Sequence, residues 1–284
     1  MYTGSETNGC RSNFSVIAIK AGMNTVHNNP PSKPKTIALI QARMASTRLP
    51  GKVLLPLGDK CVLQRVVDRV ALAKRVDLTV VATTDQPWDD PLADACRRWG
   101  SSVFRGDESD VLKRFGDAAR EYNAAWVVRV NSDNPLIDPR YIDELLDAVR
   151  GTDVDYASYR QSDGRPVMLT ALSFFAEAVS RECLERGVRE IVDPTEREHV
   201  TIGIYNRPSQ YALRWLDVPS FCNDPRLRLT LDTQADFDLL QDIYAVLGDD
   251  ASTATAEDIV RLVLEHPEWL ARMNAQNTAN PKTK

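Results

Sequence analysis

Brief apolar runs alternate along this chain with longer amphipathic segments, and each run opens into a polar, turn-forming loop. Residues 37–40, 77–83, 101–105 and 124–130 are short and apolar or β-branched, and they read as strands, most of them buried. Residues 61–74, 89–100, 111–122 and 139–151 read as helices, with Val62, Val66 and Val70 at helical spacing in the first of them. Strand and helix recur in turn, which predicts an α/β fold built on a doubly wound, mostly parallel sheet. Right-handed crossovers then bring the loops that follow the strands to one edge of that sheet.

The second half is less regular. Residues 155–159 and 169–175 read as strands around the turn Ser162-Asp163-Gly164, followed by a helix over 174–186 and a strand over 211–218. The alternating LRLTL at 227–231 leads into a helix over 237–247, and 255–271 form a last helical segment in which Trp269 packs. Residues 1–34 are rich in Ser, Asn and Pro and are expected to be a disordered leader, with Met23 as an alternative start. The main domain is then expected over 35–250, with a small β-containing insertion at about 155–212, a helical segment over 251–274 and a flexible tail over 275–284.

The charged and polar residues concentrate where the first strand ends. Gln41-Ala42-Arg43-Met44-Ala45-Ser46-Thr47-Arg48-Leu49-Pro50-Gly51-Lys52 places three cations among small residues and a Pro-Gly turn signal. Backbone amides and guanidinium forks so placed suit a polyphosphate. The chain as a whole carries a formal charge of -5, so anion binding is local and nucleic acid is not an expected partner. No apolar run approaches the ~20 residues that span a bilayer. Five cysteines show neither C-x-x-C nor metal-ligand spacing, which points to free thiols in a reducing cytoplasm, and His27, His199 and His266 are too dispersed for a zinc site.

Two aspartates follow later strands. In Asn131-Ser132-Asp133-Asn134-Pro135 the carboxylate is flanked by small polar residues, a magnesium-ligand pattern, although Asp133 equally suits the cap of the helix near Pro139. If the strand continues this far, Arg129, Asn131 and Asp133 share one face. Asp232 is likewise either a helix cap or a second metal ligand. In Pro194-Thr195-Glu196-Arg197-Glu198, a capping box accounts for Thr195 and Glu198, which leaves Arg197 and His199 as functional candidates.

The block IQARMASTRLPGKVLLPLG resembles the signature of the cytidylyltransferase family that includes spore coat polysaccharide biosynthesis protein SpsF and, more remotely, the CMP-KDO and acylneuraminate synthetases. VVATTD, VFRGDESDVLKRF, VVRVNSDNPLIDP, TEREHVT and RLTLDTQADFDLL follow in the family's order, over roughly residues 36–247. The resemblance implies a GT-A-like Rossmann fold of nucleotidyltransferase type in which CTP lies over the first loop. It places Arg43 and Lys52 on the triphosphate, with Arg48 as a further phosphate contact, and Ala42, Thr83 and Gly106 around the cytosine and ribose. Asp133 and Asp232 match two magnesium-binding aspartates, so Mg2+ is the expected cofactor and Lys52, Arg43 and Asp133 the expected catalytic residues. The insertion is expected to contact the acceptor and to carry a possible homodimer interface.

Departures from the family pattern fall on the acceptor side. Asn131-Ser132-Asp133-Asn134-Pro135 stands where relatives carry Thr-Gly-Asp-Cys-Pro, and Met168-Leu169-Thr170-Ala171-Leu172 where they carry an acidic Gly-Leu-Asp-Val-Glu-like segment. Fewer carboxylates favour a smaller or more anionic acceptor than a polyhydroxylated sugar, such as a phosphonate or phosphate. Arg129, Asn131, Asn134, Arg197 and His199 are the candidate acceptor residues. The competing readings are a sugar-nucleotide-dependent glycosyltransferase and a CTP-binding subunit without catalysis.

Overall fold

The computed structural model describes residues 34–282, so the expected leader, Cys10 and His27 lie outside the described residues. The first half runs β1 (Lys35–Gln41), β2 (Pro56–Leu57), β3 (Lys60–Cys61), α1 (Val62–Val70), β4 (Leu78–Thr84), α2 (Asp90–Arg98), β5 (Ser102–Gly106), α3 (Val111–Glu121), β6 (Ala124–Asn131) and α4 (Pro139–Val149). The second half contributes β7 (Tyr156–Arg160), β8 (Glu177–Ser180), α5 (Arg181–Glu190), α6 (Pro194–Glu198), α7 (Ile202–Tyr205), β9 (Leu213–Asp217), α8 (Gln234–Leu247), α9 (Ala256–Leu264) and α10 (Pro267–Ala279).

Seven strands form one sheet in the order β5-β4-β1-β6-β8-β7-β9, with β2 and β3 as a separate hairpin. All pairings in the large sheet are parallel except those of β8, which runs against both β6 and β7. The apolar run of β1 is explained by its place at the centre. Ala38 and Ile40 join one core, with α1, α4, α8 and α9, while Ile37 and Leu39 join the other, with α3 and α5. A strand covered on both faces has no use for a polar alternate residue. The order of strands reverses between β1 and β6, so a crevice opens outside their carboxyl ends.

Several expected elements are corrected. Residues 169–175 are not a strand, since the antiparallel strand is β8 at Glu177–Ser180 and the helix after it starts at Arg181. The alternating 227–231 segment forms no ladder. It is held in extended form by single bonds, Leu229 N to Ala171 O at 2.9 Å and Leu231 N to Asp133 O at 2.8 Å. The cap of α6 is Asp193, whose side chain accepts from the amides of Thr195 and Glu196, so Thr195 is not the cap. The polar tail does not fray at residue 275, because α10 continues to Ala279. The β-containing region placed at about 155–212 supplies β7 and β8 to the main sheet, between β6 and the edge strand β9.

The C-terminal helices are tied to the core by a buried cation. Arg69 of α1, 1% exposed, donates to the carbonyls of Ile137, Ala251 and Ala254 at 2.6, 3.0 and 2.8 Å. In sequence Arg69 looks like part of the polar face of an amphipathic helix. Only the arrival of the 251–254 turn makes it interior.

Candidate active site

The first loop holds its shape through its own backbone and one buried carboxylate. Gly51 N donates to Met44 O at 3.0 Å, and Gly51 takes φ +69°, a conformation that favours glycine. Asp89, fully buried, accepts from Met44 N at 2.7 Å and from the Thr84 hydroxyl. The loop is thus anchored to the end of β4. Nothing in the sequence distinguishes Asp89 from an ordinary helix-start residue.

Asp133 and Asp232 converge on Lys52. The Lys52 ammonium lies 3.3 Å from Asp133 Oδ2 and 3.6 Å from Asp232 Oδ1, and it donates to Leu231 O at 2.5 Å. The bond from Leu231 N to Asp133 O brings the two carboxylates together across 99 positions of sequence. Neither carboxylate is spent as a helix cap. Asp138 caps α4, and Thr233 caps α8 in a box with Asp236. Asp133 Oδ1 is buried with no hydrogen-bond partner, so it retains capacity for a ligand.

Asp232 is surrounded by positive charge. Arg48 lies at 2.8 Å, Lys282 at 2.8 Å and Arg228 at 3.4 Å, in addition to Lys52. Burial by itself raises its pKa, but Lys282, Lys52 and Arg48 outweigh that effect and hold it down at about 2. Arg228 is committed elsewhere, to Asp236 at 2.7 and 3.1 Å.

These groups line a cavity of about 390 Å³ at the crevice between β1 and β6. Gln41, Asn131 and Ser132 form its floor, Arg43, Ser46, Thr47, Arg48 and Lys52 one wall, and Met168, Leu169, His199, Thr201, Ile202 and Tyr205 the opposite one. Arg43, Arg48, Lys52, Arg129 and Lys282 face only Asp133 and Asp232 as lining carboxylates, an excess of positive charge that suits a polyanion. Arg43 is 40% exposed and meets Glu198 at 3.4 Å, a contact easily exchanged for a phosphate.

The remaining expected residues divide. Asn131 and His199 line the cavity, whereas Asn134 lines a smaller cavity beside it, of about 30 Å³. Arg129 lines both, but its charge is balanced by buried Glu177 and one Nη donates to Gln41 at 3.2 Å. Arg197 is in neither. It is bound to Asp110 at 2.6 Å and to the carbonyls of Val188 and Ile191, which makes it a brace between α3 and the α5–α6 loop rather than a free anion contact. Ala42 and Thr83 are buried and line neither cavity, with Ala42 standing between two lining residues. Gly106 ends β5, where a Cβ would lie 3.0 Å from Arg114 Cγ. Glu177 and Lys282 join the site with no motif to announce them, while Thr201 closes the TEREHVT motif.

The family model for cytidylyltransferases matches residues 37–258. An uncharacterized protein of Methanocaldococcus jannaschii is 36% identical over 72% of this chain and 81% of its own length. Spore coat polysaccharide biosynthesis protein SpsF of Bacillus subtilis is 33% identical over 81% of this chain and 94% of its own. Among solved structures, a cytidylyltransferase from Leptospira borgpetersenii superposes with a TM-score of 0.75 at 29% identity, covering 84% of this chain and 97% of that one. This chain is a nucleotidyltransferase enzyme and belongs to the cytidylyltransferase family.

Proposed function

We propose that the chain transfers CMP from CTP to an oxygen of a small anionic acceptor, with release of pyrophosphate. The observation that carries the reading is the meeting of Lys52, Asp133 and Asp232 at the β1–β6 crevice, under a loop that supplies Arg43 and Arg48. Arg43, Arg48 and Lys52 bind the triphosphate. Ala42, Thr83 and Gly106, at the neighbouring ends of β1, β4 and β5, shape the site of the nucleoside.

The donor set fits a hard divalent cation. Both carboxylates are kept ionised or uncommitted, with one Asp133 oxygen unpartnered, and oxygen ligands at a phosphate site are what Mg2+ requires. Asp133 and Asp232 would hold it together with phosphate oxygens. When bound, the metal offsets negative charge on the α- and β-phosphate oxygens. In the reaction the acceptor oxygen forms a bond to the α-phosphorus, the bond from that phosphorus to the α,β-bridging oxygen breaks, and the acceptor proton leaves to solvent. Lys52 and Arg48 are placed to stabilise the charge that gathers on the departing pyrophosphate.

The acceptor is proposed to be anionic, a sugar acid, a phosphonate or a phosphate, because cations outnumber carboxylates in the lining. The wall at Met168 and Leu169 offers few hydrogen-bond acceptors to a polyol, which favours the phosphonate or phosphate among them. Pyrophosphate release from CTP, assayed with Mg2+ and a panel of ulosonic acids, phosphonates and phosphates, tests the reading. Turnover with at least one of them is expected. Release from a sugar nucleotide of its diphosphate, with none from CTP, overturns it in favour of glycosyl transfer.

A further inference from the structure

Lys282 lies beyond the last helix, yet its ammonium stands in the centre of the site. The chain around it is strapped down. Arg228 donates to Asn280 O and Arg165 to Lys282 O, each at 2.9 Å, and the Asn277 amide donates to the carbonyls of Pro225 and Arg226 at 3.1 Å. Arg129, Asn131, Met168 and Lys282 are common to the large and the small cavity, so they form the passage between them.

Asp232 already meets four cations, Arg48, Lys52, Arg228 and Lys282. Arg228 has Asp236 as its own partner, and Arg48 and Lys52 belong to the phosphate loop. Lys282 is the remaining one, and a divalent ion on Asp133 and Asp232 would repel its ammonium from Asp232 Oδ2. On the other side of the passage no free carboxylate receives it. Among the described residues Glu177 is the only acidic one lining the small cavity, and it already accepts from Arg129, from the Tyr156 hydroxyl at 2.8 Å and from Thr201 at 2.5 Å. Buried Asn134 Oδ1 and Arg129 Nε have no hydrogen-bond partner there. The small cavity admits the centres of about two waters, the size of an oxyanion head and not of a sugar ring.

We propose that Lys282 is an acceptor-recognition residue: with the nucleotide and its metal in place, its ammonium leaves Asp232 and binds an oxyanion of the acceptor in the small cavity. The proposal rests on the cytidylyltransferase reading. A carboxylate and a phosphonyl group share the required chemistry, and the test separates them.

The protein is saturated with the α,β-methylene analogue of CTP and Mg2+, and methylphosphonate or acetate is titrated in by calorimetry. The wild type is expected to bind at least one of the two, Lys282→Met to bind it about tenfold or more weakly, and Lys282→Arg to stay close to the wild type. Analogue affinity of Lys282→Met should fall far less than its anion affinity. The two proteins saturated with analogue and Mg2+ should melt alike, whereas the unliganded variant, which lacks the Lys282 partner of Asp232, should melt lower. A merely structural role would not separate the anion loss from the other two readings. Equal anion binding by wild type and Lys282→Met, or binding of neither anion by the wild type, overturns the proposal. A parallel loss of analogue affinity also overturns it, by assigning Lys282 to the donor. Absence of analogue binding in the wild type instead sinks the cytidylyltransferase reading, and the proposal with it.

Discussion

The two walls of the cavity are built in different ways. The wall from Gln41 to Lys52 is one continuous loop at a strand end, braced by its own turn and by Asp89. The other wall is assembled from Met168, Leu169, Thr201 and Tyr205, from separate stretches of the chain, beside the buried Arg129–Glu177 pair. The first wall offers the exposed cations Arg43 and Arg48 for a substrate to recruit, with Lys52 held between two aspartates behind them. The second spends its charges on itself, so it selects by shape and by the few polar groups left over.

Breaking the first wall should cost the most in activity. Lys52→Ala in that wall, and Asp133→Ala beside it, are expected to stay folded and to lose roughly 10²–10³-fold in pyrophosphate release, since the first removes a cation aimed at the phosphates and the second a carboxylate that would hold the metal. Unchanged release from both variants would remove the donor site from this crevice. Breaking the second wall should cost stability instead. Glu177→Gln leaves the Arg129 cation buried without its carboxylate, and about 3 kcal/mol should be lost in urea unfolding while CTP affinity holds. A CTP affinity that fell as steeply would show that the two walls are one unit.

Outside the walls, the scaffold sets the next scale. Asp138, 1% exposed, caps α4 and accepts from Ala256 N at 2.8 Å. Burial raises its pKa, but the bonds from Arg140 and Ala256 prevail and lower it below the usual aspartate value. A carboxylate with a depressed folded pKa contributes its stability in full above the unfolded value near 4, and loses it as pH falls through the folded one. Asp138→Asn should therefore cost about 2 kcal/mol at pH 7 and progressively less in acid, read by thermal melts across pH 2–7. The smallest effect expected is at α6. Asp193→Ala should cost about 1 kcal/mol and Thr195→Ala under about 0.5, in the same melts, and the reverse order would restore Thr195 as the cap.

Much of this contrast is visible in the chain before folding. β1, β4 and β6 announce themselves because a strand buried on both faces must be apolar throughout, and the loop after β1 because its composition suits nothing else. Residues 169–175 mislead for the opposite reason: Phe174 and Phe175 are apolar through core packing, with no ladder partner, while the actual strand β8 begins at an acidic residue. Glu177 falls within the helix expected over 174–186, and only Arg129, Tyr156 and Thr201 make it an interior anchor.

The sequence alone determined the alternation of strands and helices, and the cation-rich loop after β1, because those features are local and are written in consecutive residues. The tertiary structure decided that Asp133 and Asp232 flank one lysine, that Arg197 is a brace, and that a lysine from the tail faces the same aspartate. Those are pairings over long sequence distances. A charge carries no mark of its partner until the sheet and the closing helices bring the two within reach.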